Sequence, residues 1–321
     1  MEIAIIIPVF NEADALHKNL TILDRCLMED SLSVNYMLID DGSTDDTWKV
    51  IGKIRSEFKN VSGIRLSRNF GKESAMIAGI QNISADYYAV IDSDLQHPPK
   101  HIKLMLDILI DRKVNIVEGV KTNRGKEALA YKIMANTFYK LLYKLTKMDL
   151  KGSSDFKIFD NQVADAVRRF NEKNIFFRGI IDYVGFEKIE YPFAVEKRLD
   201  GEGSFNTLKL FKFALNAIVS HTSRPLYLTM ISGGIFFVLA ILLGAQTLYN
   251  YFVGNAVDGF STVILLILIT GSMLMLSIGI IGVYIEKIYD EVKARPQYIL
   301  SDRLNASKET ETVNAKNVSN K

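Results

Sequence analysis

Several residue types are scarce in this chain, and each scarcity excludes something. There is one cysteine, Cys26, so no internal disulfide framework exists, and the chain fits a reducing compartment. The four histidines, His17, His97, His101 and His221, make no zinc-like spacing with that cysteine. His97 and His101 could share a helix face, where a solvated pair is the simpler reading than a metal site. Excess charge of one sign is missing too. Lys and Arg number 39 against 37 Asp and Glu, a net +2, which gives no sign of bulk nucleic-acid binding. The N-terminal apolar run Ile3–Val9 is too short and wrongly flanked for a signal peptide and reads as a first strand, so the aqueous part is expected in the cytosol.

The largest absence is local. No formally charged side chain occurs from Pro225 to Val257, nor from Gly259 to Ile285. Each stretch exceeds the roughly 20 apolar residues that cross a bilayer core. Buried helices of a soluble core are the competing reading, disfavoured by length. The segment between them, Gly254 to Gly259, carries one acid and no base, whereas Lys209, Lys212 and Arg224 precede the pair and Lys287, Lys293 and Arg295 follow it. By the positive-inside rule both ends, and with them both termini, are expected on the cytosolic side of a multi-pass plasma-membrane protein.

Before those spans the chain alternates as βαβ units. Strands are expected at Ile3–Val9, Val34–Ile39, Val61–Leu66, Tyr87–Ile91 and Val114–Glu118. Helices are expected at Glu12–Met28, from Asp45 to about Phe58, after Lys72 to about Gln81, and from Pro98-Pro99 to about Arg112. The strand-to-helix turns then bring Asn11, Glu12, Asp40, Asp41, Asp92 and Asp94 to one edge of a parallel sheet, where ligands of such sheets gather. Asp92-Ser93-Asp94 is the most telling turn. Two carboxylates just past a strand end can meet one hard cation, Mg²⁺ or Mn²⁺, that bridges to phosphate oxygens, although Asp is also common in plain turns. Residues 128–148 and 208–219 read as basic amphipathic helices suited to a lipid interface, the first equally as an ordinary surface helix. The polar end, Ser307–Lys321, reads as disordered.

Taken in order, Pro8-Val9-Phe10-Asn11-Glu12, Asp40-Asp41-Gly42-Ser43, Arg68-Asn69-Phe70-Gly71-Lys72-Glu73 and Asp92-Ser93-Asp94-Leu95-Gln96 resemble the family 2 glycosyltransferases of GT-A fold. Ser154-Asp155-Phe156-Lys157, Phe177-Arg178-Gly179, Gly201-Glu202 and Arg295-Pro296-Gln297-Tyr298-Ile299 narrow the resemblance to the polyprenyl-phosphate glycosyltransferases, the group of dolichol-phosphate mannose synthase and bactoprenol glucosyltransferase. The resemblance spans about residues 1–300. It implies an α/β GT-A (Rossmann-like), mostly parallel sheet domain at 1–205, a juxtamembrane amphipathic helix at 206–224, two transmembrane helices within 225–286 (about 227–252 and 261–285), and a cytosolic tail at 287–321. It also implies residue roles. Pro8, Phe10, Glu12, Asp41, Lys72, Asp92 and Gln96 would hold the nucleotide-sugar, and Asp92 and Asp94 the metal. Asp155 would be the catalytic carboxylate, as base or as orienting group, and Lys121, Arg124, Lys132, Arg178 and Arg198 would meet acceptor phosphate or diphosphate.

The expected activity is inverting transfer of a hexose or N-acetylhexosamine, from UDP-glucose or UDP-GlcNAc in first place, to undecaprenyl (polyprenyl) phosphate at the cytosolic membrane face, serving cell-envelope polymers. The partners are then the donor, the lipid acceptor and the membrane, with no nucleic acid; relatives suggest a homo-oligomer. Two other classes compete with this expectation. A polysaccharide synthase would need a Gln-x-x-Arg-Trp motif, but the only tryptophan is Trp48, in an N-terminal helix. A non-catalytic nucleotide-sugar-binding scaffold would be expected to have lost a carboxylate, and Asp92, Asp94 and Asp155 are all present.

Overall fold

The computed structural model describes residues 1–29, 32–95, 97–121, 153–173, 175–193, 224–253 and 260–305. These fall into two compact units. The first is built on strands β1 (Glu2–Val9), β2 (Ser33–Asp40), β3 (Val61–Leu66), β4 (Tyr87–Val90), β5 (Ile116–Lys121), β6 (Ser153–Asp160), β7 (Lys188–Phe193) and β8 (Leu300–Leu304). They form one sheet in the order β7-β5-β6-β4-β1-β2-β3-β8. β1 pairs in parallel with β2 and β4, as do β2 with β3 and β5 with β7. β6 runs antiparallel between β4 and β5, and β8 runs antiparallel on the β3 edge. The sheet is therefore mixed and mostly parallel, as the GT-A expectation requires.

Helices α1 (Leu16–Glu29), α2 (Thr47–Glu57) and α4 (Lys100–Arg112) cover one face, and α3 (Lys72–Asn82), α5 (Asn161–Arg168) and α6 (Phe177–Tyr183) the other. The strand period of two sorts β1 between them. Ile3, Ile5, Ile7 and Val9 pack with Leu20, Ile51 and Leu106, while Ala4 and Ile6 pack with α3 residues such as Met76 and Ile80. α3 lies very close to the sheet. A Cβ on Gly79 would come within 2.6 Å of Ile6 and 2.8 Å of Ile39, so only glycine permits that approach.

The structure moves some boundaries. α1 begins at Leu16 rather than Glu12: residues 13–15 form a turn in which the Ala15 and Leu16 N–H groups both bond Glu12 O (3.2 and 3.0 Å), while the N–H groups of Asn11, Glu12 and Ala13 are accepted by Ser43 Oγ (2.9 Å), Thr47 Oγ1 (2.9 Å) and Asp45 (3.2 Å). α2 begins at Thr47 rather than Asp45, and Asp45 accepts the Thr47 N–H at 3.0 Å. β5 begins at Ile116, not Val114, because the Val114 N–H still bonds Leu109 O and Lys113 caps α4 in the left-handed region. β6, β7 and β8 are strands beyond the five expected from the sequence. The polar stretch after the helix pair thus returns to the sheet as β8, anchored by Ser67 N–H to Ile299 O (2.8 Å), Tyr298 Oη to Gln81 (2.8 Å) and Gln297 Nε2 to Glu172 O (2.9 Å).

The second unit contains α7 (Arg224–Phe252) and α8 (Phe260–Val292), which contact one another. Thr229–Gln246 and Leu266–Val292 are long and apolar enough to cross a membrane, and only 6% and 0% of them is buried. Phe237, Leu242, Met275 and Leu276 all present their apolar surface outward. A core helix of a soluble domain would be buried; these are not. The amphipathic stretches expected at 128–148 and 206–224, and the tail Ser307–Lys321, lie outside the described residues, save that Arg224 opens α7.

Candidate active site

The carboxyl ends of β1 to β4 converge on a cavity of about 360 Å³ lined by Pro8, Val9, Phe10, Glu12, Asp41, Asn69, Gly71, Lys72, Asp92, Ser93 and Asp94. Six positions expected to hold the donor, Pro8, Phe10, Glu12, Asp41, Lys72 and Asp92, thus share one wall with Asp94. The seventh, Gln96, lies outside the described residues, as do Arg124, Lys132 and Arg198; Lys121 ends β5, and its side chain is not described.

The floor is fixed by adjacent aspartates with different tasks. Asp40 is fully buried and holds its own turn, accepting the Ser43 N–H at 2.8 Å and pairing with Arg65 at 3.2 Å. Asp41 faces the other way and accepts the N–H groups of Phe70 (2.8 Å) and Gly71 (2.9 Å), which fastens the loop before α3. Burial raises the Asp41 pKa, and those two N–H groups oppose the rise. Gly42 makes this closeness possible. Its φ is +67°, and a Cβ there would sit 2.2 Å from the Arg68 carbonyl carbon.

Asp155 lies on strand β6. Because β6 runs antiparallel, its first residues reach the same edge where β4 ends. Lys157 pairs with Val90, and two residues further the register brings Asp155 level with Asp92. Lys72 links the two carboxylates. Its Nζ stands 2.6 Å from Asp92 Oδ1 and 2.6 Å from Asp155 Oδ2, while Arg178 Nε donates to Asp155 Oδ1 at 2.7 Å. Burial alone would raise the Asp155 pKa, but Arg178 and then Lys72 hold it well below the usual carboxylate range. Burial would lower the Lys72 pKa, and Asp92 with Asp155 instead raises it. Both groups are charged at neutral pH.

Supporting residues appear that the sequence reading had not assigned. His97 is buried rather than solvated. It stacks on Phe156 at 4.9 Å and 13°, and its Nδ1 accepts the Asp92 N–H at 3.4 Å. His101 bonds Tyr191 Oη at 2.9 Å, so the two rings are packing and positioning groups. Beneath Asp155, Lys157 pairs with Glu118, both deeply buried. Glu73 accepts the Phe177 N–H at 2.6 Å; burial, then the Asp155 carboxylate, pushes its pKa up to about 7. Among the described residues no group of three or more His, Cys, Asp or Glu converges as a metal cage. Asp92 and Asp94 could hold a hard cation as two oxygen ligands, the remainder coming from phosphate and water, which is how Mg²⁺ is commonly bound.

Comparison with known proteins gives this site its class. The family described as glycosyl transferase family 2 matches residues 4–170. The chain belongs to that family and is a glycosyltransferase. It is similar to the prophage bactoprenol glucosyl transferase homolog of Escherichia coli (strain K12), 30% identical over 302 residues that cover 94% of this chain and 98% of the relative. An uncharacterized glycosyltransferase of Bacillus subtilis (strain 168), YkcC, is 31% identical over 302 residues, covering 94% and 93% of the two chains. Among solved structures, glucosyl-3-phosphoglycerate synthase from Mycobacterium tuberculosis, in complex with Mn²⁺ and uridine-diphosphate-glucose, overlaps 68% of this chain and 77% of its own at 16% identity and a TM-score of 0.46. That likeness is too distant to support a functional comparison.

Proposed function

We propose that this glycosyltransferase moves a hexose or N-acetylhexosamine from a nucleotide-sugar, UDP-glucose or UDP-GlcNAc in first place, to undecaprenyl (polyprenyl) phosphate at the cytosolic face of the cell membrane. The observation that carries the reading is the Lys72 bridge. One ammonium joins Asp92, at the donor end, to Asp155, which Arg178 grips from the other side. The printed names of the bactoprenol relatives support the lipid acceptor, and the exposed apolar helices α7 and α8 support a membrane setting.

In this reading Pro8, Phe10, Glu12 and Asp41 hold the base and ribose, and Asp92, with Asp94 and Gln96, faces the diphosphate. A divalent cation, Mg²⁺ or Mn²⁺, held by Asp92 and Asp94 would neutralise charge on the diphosphate. Lys72 adds a fixed positive charge on the same side, so the electron pair of the breaking sugar–oxygen bond moves toward a cationic wall. An acceptor phosphate oxygen attacks the anomeric carbon from the opposite face, in line, and inverts it. Lys121, Arg124, Lys132, Arg178 and Arg198 supply the cations that meet that phosphate.

Asp155 then orients rather than abstracts. A carboxylate held below its usual range by two cations is a weak base. A lipid monophosphate, with a second pKa near 6, is largely ionised already and needs no base. Asp155 therefore keeps Lys72 and Arg178 apart and aimed. The test is incubation of the purified protein with UDP-sugars, Mg²⁺ and polyprenyl phosphate. A lipid-soluble sugar phosphate is the expected product, and Asp155→Asn is expected to lower its rate by a similar factor at every pH; loss of an acidic limb that the parent shows would identify Asp155 as a base.

A further inference from the structure

Glu73 follows Lys72 in the first turn of α3 but does not line the cavity. Its carboxyl reaches another element, accepting the backbone N–H of Phe177 at 2.6 Å. Phe177 opens α6, and its ring is buried against Phe159 and the α3–α5 core. The first N–H groups of a helix have no acceptor within it, and here Glu73 supplies one from across the layer. The next residue is Arg178, whose Nε bonds Asp155 at 2.7 Å. Consecutive residues of α3 thus reach Asp155 by two routes, Lys72 directly and Glu73 through the start of α6.

We propose that Glu73 is a positioning residue that fixes the first turn of α6 and thereby sets Arg178 against Asp155. What matters is the accepting oxygen, which the carboxyl keeps whether ionised or protonated. A glutamine at the same place keeps that oxygen and loses the charge, and an alanine loses both. Phe177 N–H would then be left in a part-buried place without its acceptor, and the first turn of α6 would loosen.

The proposal rests on the preceding functional reading only where turnover is measured, so the test has an arm that does not need it. Glu73→Gln, Glu73→Ala, Arg178→Ala and the double variant Glu73→Ala/Arg178→Ala are made in the full chain. Amide hydrogen exchange is followed by mass spectrometry, UDP affinity by calorimetry, and turnover with UDP-sugar and polyprenyl phosphate. In Glu73→Ala, exchange is expected to rise in peptides covering 175–183 while β1 and β2 peptides and UDP affinity stay at parent values. Its turnover is expected to fall about tenfold, the size of one lost hydrogen bond. Glu73→Gln is expected to restore both readouts to within about twofold of the parent, as an acceptor-only role requires. Because the effect passes through Arg178, Glu73→Ala is expected to add nothing on the Arg178→Ala background. Unchanged exchange at 175–183, a glutamine variant as impaired as alanine, or additive losses in the double variant would each overturn the proposal. General loosening of the sheet with lost UDP binding would also overturn it, by making Glu73 a structural residue only. Absence of product from the parent would defeat the functional reading alone, leaving the exchange arm to decide on Glu73.

Discussion

At the residue scale the site is a set of opposed charges fixed by short bonds, and its behaviour follows from which partner each group has. Asp155 sits between Lys72 and Arg178, so Asp155→Asn leaves two cations facing one neutral amide. Turnover is expected to fall about a hundredfold, with UDP binding retained, as a calorimetric titration beside the assay would show. Glu73 gives a pH prediction of definite sign. Its carboxyl is raised from 4.5 to about 7, so between those values the folded chain binds a proton that the unfolded chain has released. Stability from this group is therefore complete below pH 4.5 and lost as pH rises toward about 7. Melting curves of the parent and Glu73→Gln across that window are expected to diverge, the variant gaining relative stability as pH rises. Gly42→Ala tests the floor. With φ at +67° and a new Cβ 2.2 Å from the Arg68 backbone, it is expected to cost about 1–3 kcal/mol by denaturant unfolding.

At the element scale, α3 is the hub. Its first turn carries Lys72 and Glu73, its middle packs on Ile6 and Ile39 through Gly79, and its last turn receives Tyr298 from beyond the helix pair. Tyr298→Phe removes the hydroxyl that bonds Gln81 at 2.8 Å and Asn82 at 3.1 Å. A loss of about 1–2 kcal/mol is expected, read as a lowered melting temperature with UDP affinity unchanged. The elements also show what sequence can carry. β1 to β4 were legible because their apolar runs are buried on both faces and end in turn residues. β6 was not, since Asp155 and Lys157 alternate with Phe156 and Ile158 in a way that resembles a solvated face. The partners that neutralise them, Lys72, Arg178 and Glu118, come from distant parts of the chain. β8 was hidden for a different reason. Leu300-Ser301-Asp302-Arg303-Leu304 is an exposed edge strand held by backbone bonds to β3, which leave no mark in side-chain pattern. The burial of His97 was equally hidden, because a histidine in a polar turn gives no sign that Phe156 and Phe193 will enclose it.

At the scale of the whole chain, the catalytic unit is discontinuous. It takes in residues on both sides of the helix pair, with β8 completing the β3 edge after α8 has ended. Replacing residues 205–295 with a flexible linker is therefore expected to give a water-soluble protein that still binds UDP, whereas ending the chain before Pro296 removes β8, leaves the outer edge of β3 open and is expected to aggregate. Size-exclusion chromatography of the two forms distinguishes these outcomes. If the proposed membrane setting holds, the soluble form is expected to lose transfer to polyprenyl phosphate embedded in vesicles, because it lacks the exposed apolar surface of α7 and α8.

In the proposed reaction the acidic and basic groups gathered at this sheet edge pass a sugar from a nucleotide to a lipid phosphate. Mass spectrometry of the lipid fraction, after the purified protein is offered mixed UDP- and GDP-sugars with Mg²⁺ and undecaprenyl phosphate, tests it most directly. A polyprenyl phosphate heavier by one hexose or N-acetylhexosamine is expected, absent with Asp92→Ala and formed about a hundredfold more slowly with Asp155→Asn. A lipid fraction unchanged in mass across the whole donor panel, from protein that binds UDP normally, would contradict it.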